Sequence, residues 1–182
     1  MRITIAFFLL ILVVFNACKS ETETVQKDTI NTEFLALENL EEEIFNYSIN
    51  TNKNKLIKKG KSLLKLSQAY IALYPKDSCL ERVYEMAALG AEVSGSYNDA
   101  INYLYLAQRN FPESKKAPIY LFNRARILDD ILMKKKQSEL AYRELIELYP
   151  NDSLSISMKK YLESDLMNKS EQELLDFFNS KN

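Results

Sequence analysis

Histidine is absent from this chain of 182 residues, and cysteine occurs only twice, at Cys18 and Cys79. The usual zinc sites need closely spaced Cys and His, and most nucleophilic pairs and general bases need an imidazole. None of these arrangements can be built here. The sequence therefore predicts no metal site, no cofactor and no enzymatic activity, and Cys79 is interpreted as a small packing residue. An enzyme that uses carboxylates alone stays open as an alternative.

Glycine and proline are also scarce, with three and four residues, whereas Leu, Ala, Lys and Glu are abundant. This balance disfavours sheets with many tight turns and favours helices, so the composition predicts an all-α fold. The formal net charge is -1. Because binding to a phosphate backbone requires a strongly basic surface, nucleic acid is not an expected partner.

The amino-terminal segment has the pattern of a secretory leader. Arg2 is followed by an apolar stretch over residues 3–15, then by Asn16, Ala17 and Cys18. The stretch is shorter than the ~20 residues that a membrane-spanning helix needs, so cleavage is favoured over a retained anchor, which is the alternative. After it, residues 18–31 are mostly polar, with too few large apolar side chains to form a core, and they are predicted to be a flexible tether.

The segment ending at Cys18 resembles a bacterial lipoprotein signal, in which a large apolar residue and a small residue precede an acylated cysteine. The resemblance implies a signal peptide over residues 1–17 and lipidation of Cys18, so that a lipid anchor holds the chain at a membrane. Lys19, where an Asp would favour inner-membrane retention in that family, implies the outer membrane. The periplasmic face is favoured over the cell surface.

An internal repeat organises residues 32–182, which are predicted to form one domain. An aromatic residue followed by proline occurs at Tyr74, Phe111 and Tyr149, at intervals of 37 and 38 residues. Proline disfavours helical geometry in the residue before it, so each pair predicts a corner between two helices. Ser78 and Glu81 have the spacing of a capping box that would start the next helix.

Amphipathic spacing between these corners predicts pairs of helices. Ala100, Leu104 and Ala107 share one face, on which small residues would let a neighbouring helix approach closely. The run Glu41-Glu42-Glu43 is interpreted as a solvated helix face, because consecutive helical residues point in different directions. Predicted helices span residues 34–49, 56–73, 80–93, 97–110, 117–133, 137–148, 153–166 and 171–178.

These units resemble tetratricopeptide repeats, in which large and small residues alternate along a helix pair that ends at a proline. The positions that match the family pattern are Tyr84, Ala87, Ala88, Ala100, Leu104, Ala107 and Pro112 in one unit, and Phe122, Ala125, Ser138, Tyr142, Leu145 and Pro150 in the next. The resemblance implies a solenoid of antiparallel helix pairs, about three to four pairs in all, of the kind found in helical-repeat lipoproteins of the bacterial envelope.

The family binds peptides in a concave groove formed by the first helix of each repeat. Transferred by position, the groove residues are Arg82, Glu85, Leu89, Glu92, Tyr120, Asn123, Ile127 and Asp130. Leu89 and Tyr120 are expected to be neighbouring apolar anchors for a partner. Glu85 occupies a place where capture of a terminal carboxylate would need a cation, so that mode of binding is disfavoured.

The expected function is therefore that of a membrane-anchored scaffold that binds envelope proteins or peptides, with a role in an outer-membrane assembly complex as one form of it. A lipoprotein that binds a small ligand or solute is the alternative, and a carboxylate-based envelope enzyme is a weaker one. A rival site for the partner is the last helix, where Leu175, Phe177 and Phe178 form an apolar end.

Overall fold

A computed structural model describes residues 28–47, 52–164, 169, 172–173, 176 and 179–180. Within these residues the backbone is helical and contains no strand, which confirms the all-α prediction. The predicted signal peptide, Cys18 and most of the predicted tether lie outside the described residues, as do the side chains of Leu175, Phe177 and Phe178.

The helices follow one another with short connections. α1 covers residues 28–45, and the rest are α2 (Lys53–Leu73), α3 (Leu80–Ser94), α4 (Tyr97–Asn110), α5 (Ala117–Arg126), α6 (Lys135–Leu148) and α7 (Ser153–Glu163). Helices that are neighbours in sequence pack against each other from α2 to α7. Their apolar faces form three core clusters along the chain, centred on Leu63 and Met86, on Ala91 and Ala107, and on Ala125 and Tyr142.

The three aromatic-proline corners share one backbone conformation. Tyr74, Phe111 and Tyr149 each end a helix, with φ, ψ of -125°, 58°, of -130°, 55° and of -131°, 58°. In each case the aromatic residue's N–H donates to the carbonyl four residues earlier, at 2.9 to 3.0 Å. The corners therefore lie where the sequence predicts them.

After two of the three corners an aspartate carboxylate, and not Ser78, accepts a hydrogen bond at the start of the next helix; after Phe111 the Ser114 hydroxyl does so, from the Lys116 N–H at 3.1 Å. Before α3, the Asp77 carboxylate accepts a hydrogen bond from the Cys79 N–H at 2.7 Å, and before α7 the Asp152 carboxylate accepts from the Leu154 N–H at 2.8 Å. Ser78 makes no such cap, so the predicted capping box is wrong. The ionised carboxylate is the stronger acceptor for a helix N-terminal N–H.

Two predicted boundaries also differ from the structure. Residues 28–31, which the sequence assigns to the tether, are helical, and Ile30 packs against the first core cluster. The helix predicted over residues 117–133 is α-helical only to Arg126 and continues as a π turn over Ile127–Ile131. There the Leu132 N–H donates to the Ile127 carbonyl, five residues earlier, at 3.0 Å.

α2 and α3 touch through glycines that the sequence analysis did not single out. A Cβ atom on Gly90 would lie 2.6 Å from the Leu64 backbone nitrogen and 2.8 Å from the Gly60 carbonyl oxygen. A Cβ on Gly60 would meet the Ser94 nitrogen at 2.9 Å. The two helix backbones are therefore in direct contact, which brings α3 close to the amino-terminal helices.

Candidate partner-binding groove

A cavity of about 320 Å³ opens between α1, α3 and α5. Its apolar lining comes from Phe45, Ala88, Leu89, Leu104 and Ile119, and its charged lining from Glu41, Arg82, Glu85, Glu92 and Lys116. Phe45 and Ile119 are 69% and 45% exposed. Side chains of that size usually pack against other apolar groups, so the cavity presents unpartnered apolar surface at its rim.

Six of the eight predicted groove residues line this cavity, namely Arg82, Glu85, Leu89, Glu92, Tyr120 and Asn123. Ile127 and Asp130 do not line it. Ile127 is fully buried in the second core cluster, and Asp130 is exposed on the π turn. Ile127 still has α-helical geometry, with its N–H bonded to the Asn123 carbonyl, and its side chain packs into the core, whereas Asp130 lies within the π turn, where side chains depart from α-helical directions.

Tyr120 is buried, whereas the sequence suggests that it is an exposed anchor for a partner. Its side chain is only 3% exposed and belongs to the second core cluster. The hydroxyl reaches the cavity and lies within hydrogen-bonding distance of Glu85 and, at 2.8 Å, of Glu81. Burial, and then the neighbouring carboxylates, raise the pKa of Tyr120 far above its ordinary value, so the hydroxyl stays protonated. It acts as a donor inside the groove wall.

Arg82 joins two carboxylates from different helices. It pairs with Glu41 of α1 and, at 2.9 Å, with Glu85 one turn along α3. Lys116 pairs with the same Glu85 at 2.8 Å. At the other end of the groove, Glu92 pairs with Arg126 at 2.7 Å. The prediction that Glu41 lies on a solvated face is wrong, since it is 6% exposed, whereas Glu42 and Glu43 are exposed.

The pKa values of the two carboxylates that pair with Arg82 are shifted in opposite directions. Burial raises the pKa of Glu41 above 4.5, and the attraction of Arg82 offsets this only in part, while Glu85 and Glu38 add to the rise. Burial also acts on Glu85, but hydrogen bonds from Lys116, Tyr120 and Arg82 outweigh it and lower the pKa of Glu85 below 4.5. Ionised Glu85 is therefore stabilised by the fold, and ionised Glu41 is not.

Because the two pKa shifts are opposite, replacing glutamate by glutamine should change the stability of the fold in opposite directions at the two positions. Glu85→Gln should lower the free energy of unfolding at neutral pH by about 1–2 kcal/mol, because Lys116, Tyr120 and Arg82 lose a charged acceptor. Glu41→Gln should leave it unchanged or raise it, because Arg82 keeps Glu85 and a buried charge is removed. Urea unfolding of both variants beside the unaltered protein measures the two effects.

The same experiment repeated across pH gives the sign of each contribution. Glu85 stabilises the fold above pH 4.5, and this contribution is lost as the pH falls through its lowered folded-state pKa, where the Glu85→Gln deficit should vanish. Glu41 behaves in reverse, since stability is gained as the pH falls through its raised pKa towards 4.5. If Glu85→Gln and Glu41→Gln lower the free energy of unfolding equally at every pH, the opposite pKa shifts of the two carboxylates are wrong.

The sequence offered only weak signals for the residues that it missed. Glu41 lies in a run of three glutamates, and Phe45 and Ile119 are single apolar residues on amphipathic helices. Their places depend on how α1 and α5 approach α3. Cys79, interpreted as a packing residue, is half-buried, and burial followed by the charge of Asp77 raises the pKa of its thiol, the opposite of an activated nucleophile.

Comparison with protein families, with curated proteins and with solved structures finds no match to this chain. No helix among the described residues is both long enough and apolar enough to cross a membrane. Nor does that part of the chain contain a group of three or more Cys, Asp or Glu side chains placed to hold a metal ion.

Proposed function

We propose that this protein is a membrane-anchored helical-repeat scaffold that binds a segment of another protein in the groove between α1, α3 and α5. The observation that carries the proposal is the exposure of Phe45 and Ile119 beside a cavity with an apolar floor of Ala88, Leu89 and Leu104. Exposed apolar surface that adjoins a concave site is typical of places where a partner side chain becomes buried.

The tetratricopeptide-like character of the domain belongs to this proposal. It is supported by the shared conformation of the corners at Tyr74, Phe111 and Tyr149, and by packing that joins each helix to the next. Ala100 and Ala107, which match the small positions of the repeat pattern, are fully buried in one cluster with Ala88 and Ala91. These features fit stacked helix pairs, which offer a continuous binding surface.

The charges of the groove favour binding over catalysis by carboxylates. Glu41, Glu85 and Glu92 each form an ion pair with a cation of the domain. The hydrogen bonds from Lys116, Tyr120 and Arg82 that lower the pKa of Glu85 make this carboxylate a poor general acid. A small ligand is less favoured, because the cavity is open and its most exposed apolar side chains lie at the rim.

The anchor completes the proposed function. A lipid on Cys18, followed by the polar segment after it, would hold the domain at the outer membrane, on the periplasmic side, where envelope proteins or peptides are the available partners. Neither a cofactor nor a metal has a part in this role.

The test is recovery of cross-linked partners from detergent-solubilised envelopes of the native bacterium. Ile119→Ser should reduce recovery of a defined partner by about tenfold, the scale of a hot-spot residue. Ile156→Ser is the matched control, since Ile156 is 48% exposed and, like Ile119, lies in the first turn of its helix. Cys18→Ser should release the protein from the membrane fraction without changing partner recovery in solution.

A truncation tests whether the partner binds the groove or the predicted last helix, over residues 171–178. Truncation after Lys169 removes that predicted helix, which follows α7, and should leave recovery of the partner unchanged. If truncation abolishes recovery from a folded protein while Ile119→Ser does not, the last helix is the binding site and the groove assignment fails. If Ile119→Ser and Ile156→Ser reduce recovery of the partner equally, the proposal is also contradicted, because an exposed apolar residue outside the groove would then contribute as much to binding.

A further inference from the structure

The groove has a charge pattern that selects among partners. Four carboxylates surround the cavity or contact a residue that lines it, namely Glu41, Glu81, Glu85 and Glu92. The cations at the same place are Arg82, which pairs with Glu41 and Glu85, Lys116, which pairs with Glu85, and Arg126, which pairs with Glu92. Each cation of the described groove is thus already held by a carboxylate, and the carboxylates outnumber the cations by one.

Glu81 is the carboxylate in excess. In the part of the chain that the structure describes it forms no ion pair, and its one side-chain hydrogen bond is to the Tyr120 hydroxyl at 2.8 Å. That hydroxyl also contacts Glu85. A tyrosine hydroxyl has one proton and can donate to one of the two carboxylates only. Glu85 has Lys116 and Arg82 as further donors, so it is Glu81 that lacks a charged or hydroxyl donor whenever Tyr120 donates to Glu85.

Apolar and acidic surfaces are adjacent in this groove. Leu89 is two turns along α3 from Glu81 and lies less than a turn before Glu92, while Phe45 and Ile119 stand at the rim. A partner segment that covers Leu89 and continues towards Glu81 would meet a carboxylate without an ion pair, whereas Glu92 at the other end is already paired with Arg126. Burying an anionic neighbour there would set like charges together, whereas a lysine or arginine would supply the missing donor.

Resting on the proposed function, we infer that the groove's partner is a cationic segment: an apolar side chain seated against Leu89 and Ile119, followed by a Lys or Arg that faces Glu81. The charge preference is opposite to that of repeats that grip a terminal carboxylate, because here the cations Arg82 and Lys116 are already held by Glu41 and Glu85. Such complementarity acts on partner choice more than on total affinity.

The experiment selects peptides from a random display library on the full chain, purified in a non-ionic detergent, against the Ile119→Ser variant as counter-selection. Enriched peptides should combine an apolar residue with flanking Lys or Arg. A resynthesised peptide should bind about tenfold more tightly than the same peptide with Glu in place of its cations. That ratio should fall towards one in the Glu81→Gln variant and at high salt.

The control is Glu147→Gln, which removes an exposed carboxylate on α6 away from the groove and should leave the ratio unchanged. Equal binding of the cationic and anionic peptides, or enrichment of acidic peptides, would overturn the charge preference while leaving the groove a docking site. Failure to enrich any peptide would overturn the inference as well. The proposed function would then depend only on the cross-linked partner and its loss in Ile119→Ser.

Discussion

Gly90→Ala should lower the free energy of unfolding by about 3 kcal/mol, even though alanine is the better helix former by about 1 kcal/mol. The new methyl group would lie 2.6 Å from the Leu64 nitrogen and 2.8 Å from the Gly60 carbonyl oxygen. Both contacts are backbone atoms of α2, so no side chain can rotate away. The two helices must separate, and the buried packing of Leu63 and Met86 between them is disturbed. Urea unfolding followed by far-ultraviolet circular dichroism measures the loss.

Gly95→Ala serves as the comparison for this substitution. Gly95 ends α3 with φ of 83°, and nothing lies near the position of an added Cβ. Alanine there would meet only the conformational cost of a left-handed residue, roughly 1–2 kcal/mol. If Gly90→Ala proves as stable as the unaltered protein, or less harmful than Gly95→Ala, then α2 and α3 are not held in backbone contact.

Lys135→Met should cost about 3 kcal/mol, the lower end of the range for breaking a buried ion pair, because Lys135 is itself partly exposed. Its partner Asp129 is 2% exposed on the π turn, and the Lys135 ammonium lies 2.6 Å from the carboxylate. The Tyr161 hydroxyl is 3.2 Å from the other carboxylate oxygen. Burial, and then the charge of Asp129, raise the pKa of Tyr161 to about 12, so at neutral pH this hydroxyl is protonated and donates to the carboxylate.

A double variant shows whether the stability lost in Lys135→Met comes from the unpaired Asp129 charge or from the packing of the lysine side chain. Asp129→Asn combined with Lys135→Met removes both charges and should recover most of the stability that Lys135→Met alone loses. Thermal unfolding of the single and double variants provides the comparison. If the double variant is no more stable than Lys135→Met, the cost comes from the lysine's packing rather than from a stranded carboxylate.

The all-helical fold and its corners could be predicted because local chemistry determines them. A proline after Tyr74, Phe111 or Tyr149 ends a helix wherever it lies in the fold, and the small residues Ala100 and Ala107 indicate a buried face by their spacing alone. The groove residues came instead from the resemblance to the tetratricopeptide pattern, and six of them, including Leu89 and Glu85, line one cavity.

The π turn could not be predicted, because its contacts include a residue of another helix further along the chain. Its residue Asp129 is held by Tyr161 of α7 as well as by the nearby Lys135, and nothing in the local sequence indicates the contact with Tyr161. Asp130, which does not line the groove cavity, lies on this turn. Similarly, Glu41 becomes buried only because Arg82 of α3 lies beside α1.

The order in which the helices pack has a consequence for how the chain folds. Each helix from α3 to α7 packs on the one before it, so the loops that must close are short and the entropy lost in closing them is small. A chain that emerges from its amino end can therefore add one helix at a time to a surface already formed. The groove needs α1, α3 and α5, so it is complete once Asn123 has emerged, before α6 and α7 exist.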